Sequence, residues 1–258
     1  MYNTVILFVF TIFGVVFGSF YNVVLYRIPN DIPISKGRSM CAKCGHPLNA
    51  ADLVPIFSWL FLGGRCRYCK DSISAQYPVI ELVTGLLFAL AWLTQPSIIG
   101  AVFYSALWSM LLIVAIMDFK SMLIAESVLA VFSVLFLACI LWLKQPITSH
   151  LLGGFLGFGV YLAIYLIAKA FYKKEAFGFG DVELMASIGF ALGLRGSVET
   201  MLLSFYISVM GIIIMKLLGK AVKSGIEIPF GPYMCIAAFA ASLFEQPIYD
   251  LYIRLIKG

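Results

Sequence analysis

Two kinds of side chain in this sequence are equipped for chemistry: four cysteines in two close pairs, and two aspartates at the ends of long apolar stretches. Cys41-Ala42-Lys43-Cys44 and Cys66-Arg67-Tyr68-Cys69 are separated by 21 residues, one more than the roughly 15–20 usual for a four-thiolate zinc ribbon. Four soft thiolates make a closed tetrahedral site, so the zinc expected there is structural, tying together a loop with no hydrophobic core of its own. A disulfide framework is the competing reading of the same spacing, and a reducing cytosol argues against it. Asp118 closes one apolar stretch and Asp181 opens another. Acids at such depths are costly unless paired, hydrated or functional. Two aspartates within hydrogen-bonding reach cannot both ionise, so one keeps a proton while the other deprotonates a water. That pair hydrolyses an amide without a covalent intermediate, the protonated acid supporting the developing oxyanion. The bland alternative is that each acid simply marks an interface.

The elements that position these groups follow from composition. Of 258 residues, 62% are hydrophobic and 12% charged, against about 25% charged in a soluble globule. Most of the chain must therefore face lipid, and apolar stretches of about 20 residues have the length at which a helix crosses a ~30 Å hydrocarbon layer. The fold class expected is all-α, a polytopic membrane protein of about eight transmembrane helices. Spans are expected at 5–26, 77–95, 98–117, 122–143, 150–168, 182–194, 199–217 and 229–243. The first reads as a retained span rather than a cleaved signal, since it lacks a basic leader segment. The sixth is short, covering only ~20 Å at ~1.5 Å per residue.

Alternating these spans puts fourteen of the eighteen Lys and Arg residues on one side, leaving Lys144, Arg195, Arg254 and Lys257 opposite. The crowded side is read as cytoplasmic. Both aspartates and the cysteine loop 27–76 then lie at that face. The tail 244–258 reads as a short interfacial helix. The net charge of +5 is spread over several loops, which fits membrane orientation and gives no reason to expect a nucleic-acid partner. The polar loop divides an amino-terminal module, residues 1–96, from a six-span module, residues 97–258.

Smaller features take simpler readings. The glycines at 153, 154, 157 and 159 serve close helix packing rather than a nucleotide loop. Cys139 and Cys235 pack as small hydrophobes. His46 is a turn residue and His150 marks an interface. The helix macrodipole favours negative charge on Asp181, at the start of its span, and disfavours it on Asp118, at the end of one, so Asp118 is expected to hold the shared proton.

Gly178-Phe179-Gly180-Asp181 is similar to the GxGD signature of intramembrane aspartic proteases. Four further features resemble prepilin peptidases in that family's order: Gly18-Ser19-Phe20-Tyr21-Asn22-Val23 with Arg27-Ile28-Pro29, the two cysteine pairs, Tyr77-Pro78-Val79-Ile80-Glu81-Leu82, and Ile228-Pro229-Phe230-Gly231-Pro232-Tyr233. The resemblance spans nearly the whole chain. It implies an aspartic endopeptidase of the bacterial inner membrane with Asp118 and Asp181 catalytic, removing the leader of type IV prepilins and pseudopilins at the cytoplasmic face. It also implies methylation of the new amino terminus with S-adenosylmethionine, for which Asn22, Arg27 and Glu81 are the candidate contacts. The family's Ile-Pro after the first aspartate is replaced here by Ile124-Ala125, which is expected to straighten the start of the fourth span. Glu183 stands where a Lys is common, putting an extra acid two residues from Asp181. The competing classes are a proton-coupled membrane transporter, which also keeps acids in membrane helices, and a zinc-ribbon membrane adaptor without catalysis.

Overall fold

The computed structural model describes residues 2–95, 97–172, 178–218 and 229–257, with the backbone alone at 2, 172 and 245–257. The described residues form eight α-helices: α1 Tyr2–Arg27, α2 Phe57–Phe61, α3 Gln76–Thr94, α4 Ile98–Ser121, α5 Glu126–Trp142, α6 Ile147–Tyr172, α7 Phe179–Leu217 and α8 Gly231–Lys257. Among the described residues the β-type pairings are two isolated bridges, Met40 with Pro47 and Arg65 with Ser72, in the loop between α1 and α3. Five helices, α1, α3, α4, α6 and α7, are long and apolar enough to cross a membrane, and Glu126–Trp142 and Gly231–Phe244 are shorter apolar helices. The all-α expectation holds; the expected sixth and seventh spans both fall within α7, with no loop between them.

That helix is broken at Gly193, which has φ 74° and ψ −176°, a backbone only glycine adopts without strain. Ser197 Oγ donates to Gly153 O at 3.0 Å, and a Cβ on Gly189 would lie 2.9 Å from the same Ser197 oxygen. Eight residues of straight helix would separate those positions by about 12 Å. The chain therefore folds back at Gly193, and its two arms are the expected sixth and seventh spans. α6 packs against α7 through small residues: a Cβ on Gly153 would meet Gly189 O at 2.4 Å, and one on Gly157 would meet Met185 O at 2.7 Å. Close packing is thus the role of those glycines, except at Gly159, which has nothing within 4 Å.

The chain divides into two compact units, Met1–Ser109 and Met110–Gly258, with the boundary inside α4. In the first, α1 lies against α3. Gly14 and Gly18 bring α1 so close that a Cβ on Gly18 would stand 2.7 Å from Glu81 Cα, and Phe17 stacks on Phe88 and Phe10 on Trp92. In the second, α7 packs on α5, α6 and α8. Tyr161 is fully buried there, with its hydroxyl 2.9 Å from Ser204 Oγ.

The link from α4 to α5 corrects an expectation. Without the proline, the chain still breaks: Met122 takes φ 49° and Ala125, extended at φ −81° and ψ 113°, is the N-cap of α5. α8 also breaks, at Phe244 (φ −117°, ψ 24°), where the interfacial tail was expected to begin; the side chains of that tail lie outside the described residues. So do Lys173, Lys174, Lys220, Lys223 and Ile228.

Candidate active site and four-cysteine cluster

The cysteine loop is built from two copies of one turn. Cys41 N–H donates to His46 O and Gly45 N–H returns to Cys41 O; in the second copy Cys66 N–H donates to Asp71 O and Lys70 N–H to Cys66 O. Each turn ends on a left-handed residue, Gly45 at φ 68° and Lys70 at φ 62°, so each pair of sulfurs is aimed the same way. All four sulfurs lie within 4.8 Å of one another, with Cys41 and Cys69 at 3.8 Å, so the cluster has the donor set and convergence of a metal site. The N–H groups of Cys44 and then Lys43 hold the Cys41 thiol down at about 7. Cys69, although lowered by the Asp71 N–H, is pushed up to about 12 by desolvation and the other sulfurs. A dipositive ion would relieve that crowding of thiolates. Asp52 ties the loop to the second turn, accepting from Arg67 Nε at 2.6 Å and from the Tyr68 hydroxyl at 3.1 Å. The His46 ring lies 3.7 Å from that of Tyr68.

The three polar residues of the amino-terminal unit flagged by sequence have separate surroundings. The Arg27 guanidinium donates to five carbonyls, those of Pro33, Ile34, Lys36, Gly37 and Arg38, and so shapes the start of the loop. Glu81 Oε2, on α3, accepts from Ile56 N–H at 2.7 Å. Asn22 Nδ2 donates to Gly18 O and Tyr77 O, while its buried Oδ1 has no hydrogen-bond partner among the described residues. A buried acceptor without a donor is costly and suits a ligand that brings one.

In the second unit, Asp118 and Asp181 are both buried and near enough that the charge of Asp118 acts on Asp181. Asp118 lies in the last turn of α4. Asp181 lies in the first turn of α7, behind Gly178, which is extended at the N-cap. Gly180 is needed for close approach, since a Cβ there would stand 2.9 Å from Ile124 Cβ. Sequence reasoning did not single out the third participant, Gly231. Its N–H opens α8 and donates to Asp118 Oδ2 at 2.9 Å, and a Cβ on it would meet that oxygen at 2.6 Å. The signal was in the sequence: Pro232 after Gly231 marks a helix start, and the N–H groups there have no partner within the helix. The expected macrodipole asymmetry is therefore lost, because Asp118 sits at the positive end of α8 as Asp181 does at that of α7. Cys235, one turn into α8, is buried beside both aspartates. Glu183 faces elsewhere, roughly 200° around the helix from Asp181, and its charged neighbour is Glu126. His150, expected at an interface, is buried instead, its ring nitrogens bonded to Phe190 O and Gln145 Oε1.

Helices long and apolar enough to cross a membrane, two buried aspartates in the second unit and a four-thiol cluster in a loop of the first define the class, a multi-pass membrane protein. Residues 12–95 match the bacterial peptidase A24 N-terminal domain and residues 105–215 the type IV leader peptidase family. A prepilin leader peptidase/N-methyltransferase of Bacillus subtilis is 35% identical over 96% of this chain and 98% of its own. That of Aeromonas salmonicida is 31% identical, over 95% and 93%, and that of Vibrio cholerae 32%, over 90% and 94%. The chain belongs to the type IV leader peptidase family. No solved structure matches it.

Proposed function

We propose that this protein is a membrane aspartic endopeptidase in which Asp118 and Asp181 remove the leader peptide of type IV prepilins or pseudopilins at the cytoplasmic membrane face, and that it methylates the amino terminus so exposed. The observation that carries the reading is the convergence of two buried acids from separate helices, with a helix-opening N–H on one of them. Like charges that act on each other favour keeping one proton on the pair. The ionised carboxylate takes a proton from water as the water attacks the scissile carbonyl; the protonated one supports the oxyanion and then supplies the leaving amine. The Gly231 N–H keeps Asp118 oriented throughout. Gly178, exposed beside Asp181, leaves room for substrate backbone.

Zinc at Cys41, Cys44, Cys66 and Cys69 has a structural part, since four thiolates leave no open position. S-adenosylmethionine, when bound, supplies an electrophilic methyl group. Asn22 is our candidate to hold it; what supports this is the Oδ1 acceptor that lacks a donor among the described residues. Arg27 and Glu81, already engaged, act on that site by fixing the loop and α3 around it.

The test uses the purified full chain in liposomes with a prepilin-like peptide. Cleavage after the leader glycine is expected, with a product one methyl heavier when S-adenosylmethionine is added. A transporter or an adaptor gives no cleavage at all, and cleavage undiminished in Asp118→Asn or Asp181→Asn would overturn the assignment of the pair.

A further inference from the structure

The short helix α2 is mounted in an unusual way. Ile56, its N-cap, has φ 62° and ψ −54°, and Phe57 N–H donates to Pro55 O at 2.6 Å. This is a γ-turn of the strained kind, held by a β-branched residue for which positive φ is an outlier. Such strain persists only when the surroundings impose it. Here the Glu81 carboxylate, buried on α3, grips the Ile56 N–H at 2.7 Å. At the other side of α2, Trp59 Nε1–H donates to Ile73 O at 3.0 Å, and its ring covers Gly64, where a Cβ would stand 2.8 Å away. With Trp59 turned in, Phe57, Leu60 and Phe61 are left out, exposed by 58%, 58% and 87%. The two phenylalanine rings stack at 6.4 Å, making one continuous apolar face.

What covers that face follows from its depth. α3 begins its span at Gln76, so Glu81 lies about 7–8 Å along it at ~1.5 Å per residue. The side chain leans back toward the helix start by at most about one turn. α2 is therefore held beside the first turns of a membrane span, within the ~5–10 Å to which an interfacial helix buries its apolar side. Leu82, next to Glu81, and Val79 and Leu86 on the same span are exposed as well, so the first turns of α3 also present apolar side chains outward. Charge agrees: between Arg27 and Gln76 stand six Lys and Arg against three Asp, which suits anionic headgroups.

We propose that α2 is a wedge inserted in the bilayer at the headgroup–acyl boundary, with Phe57, Leu60 and Phe61 in contact with phospholipid, and that Glu81 positions it.

The experiment places a photoactivatable benzoyl-phenylalanine at position 61, and separately at 57, in the full chain reconstituted in vesicles of phosphatidylethanolamine and phosphatidylglycerol. Positions 82 and 40 serve as lipid-facing and aqueous references. Mass spectrometry after illumination is expected to find phospholipid adducts at 61 and 57 at a yield within about threefold of 82, and at least ~10-fold above 40. Yields at both positions no higher than at 40 would overturn the proposal, as would adducts to protein in place of lipid. Glu81→Gln, which weakens the grip, is expected to lower the yield at 61 several-fold without changing it at 82; equal yields would remove Glu81 from the positioning role.

Discussion

Between Cys41 and Cys69 everything that shapes the thiol cluster lies within one stretch of chain, in two turns that repeat the same backbone hydrogen bonds. Asp118 and Gly231, by contrast, are 113 residues apart, and Asp181 comes from a third helix. The first region is a local fold whose energy comes from closing turns on an ion. The second exists only when α4, α7 and α8 have packed. Damage to the cluster should therefore appear first as lost order near the cluster, and damage to the pair as lost chemistry in an intact molecule.

The largest effect expected comes from the pair. Asp118→Asn and Asp181→Asn each lower leader cleavage by roughly 10³-fold or more, since neither carboxylate can exchange protons with water alone. Metal content measured on the same samples is expected to stay at that of the unaltered protein. A loss of metal in either variant would break the separation between the two regions.

Next is the reverse lesion. Cys66 is the most buried of the four thiols, and Cys66→Ser is expected to reduce bound zinc from one per chain to none. Structural zinc stabilises small domains by an apparent ~10–16 kcal/mol, so residues 38–72 should become open to proteolysis while the helices of the second unit stay resistant. Limited proteolysis read by mass spectrometry checks this; uniform digestion of both units would contradict it.

These two regions were not equally legible in the sequence. The cluster was, because spacing alone brings cysteines together when a turn is local. That the aspartates belong to one membrane face was an expectation from counting spans, and the link between the sixth and seventh is shorter than expected: Leu194-Arg195-Gly196-Ser197 is helical, and a single residue, Gly193, makes the reversal. A turn that short leaves almost no compositional trace. Gly231 lay in a stretch read for its resemblance, and Pro232 marked the helix start, but its partner was not legible because the contribution is a backbone N–H, which every residue but proline has. Arg27 and Glu81 were picked out as polar groups in stretches that resemble the family's, but their partners are carbonyls and an amide whose positions depend on loop conformation. Ile56, an ordinary apolar residue by type, gave no sign of its strained turn.

Gly231→Ala sharpens the comparison inside the second region. The added Cβ meets Asp118 Oδ2 at 2.6 Å, the far end of a side chain that can swing aside, so folding is expected to survive while the carboxylate is displaced. A misplacement of about 1 Å is worth up to ~10²-fold in rate. A fall in kcat of about 10- to 100-fold with KM within twofold and an unchanged melting temperature is the outcome expected. A lowered melting temperature with normal kcat would make Gly231 a packing residue only.

The smallest effect belongs to Asp52→Asn, and its pH dependence tells a charge effect from a shape effect. The Arg67 guanidinium hydrogen-bonded to Asp52, with help from Asn49 N–H and the Tyr68 hydroxyl, holds the carboxyl below its usual range. A folded value depressed below the unfolded ~3.9 contributes stability that is fully present above that value. It is lost as pH falls through the folded one. The pair is partly open to solvent through Arg67, whose side chain is 48% exposed, so solvent screening keeps its contribution small. At pH 7 the variant's cluster is expected to open more readily, seen as up to about fivefold faster amide exchange at Asn49, Asp52 and Arg67. Below the folded value the two proteins should exchange alike, because the wild-type carboxyl is then neutral too. A difference that persisted unchanged into acid would mean that the shape of the Asp52 side chain, and not its charge, joins the loop to the second cysteine turn.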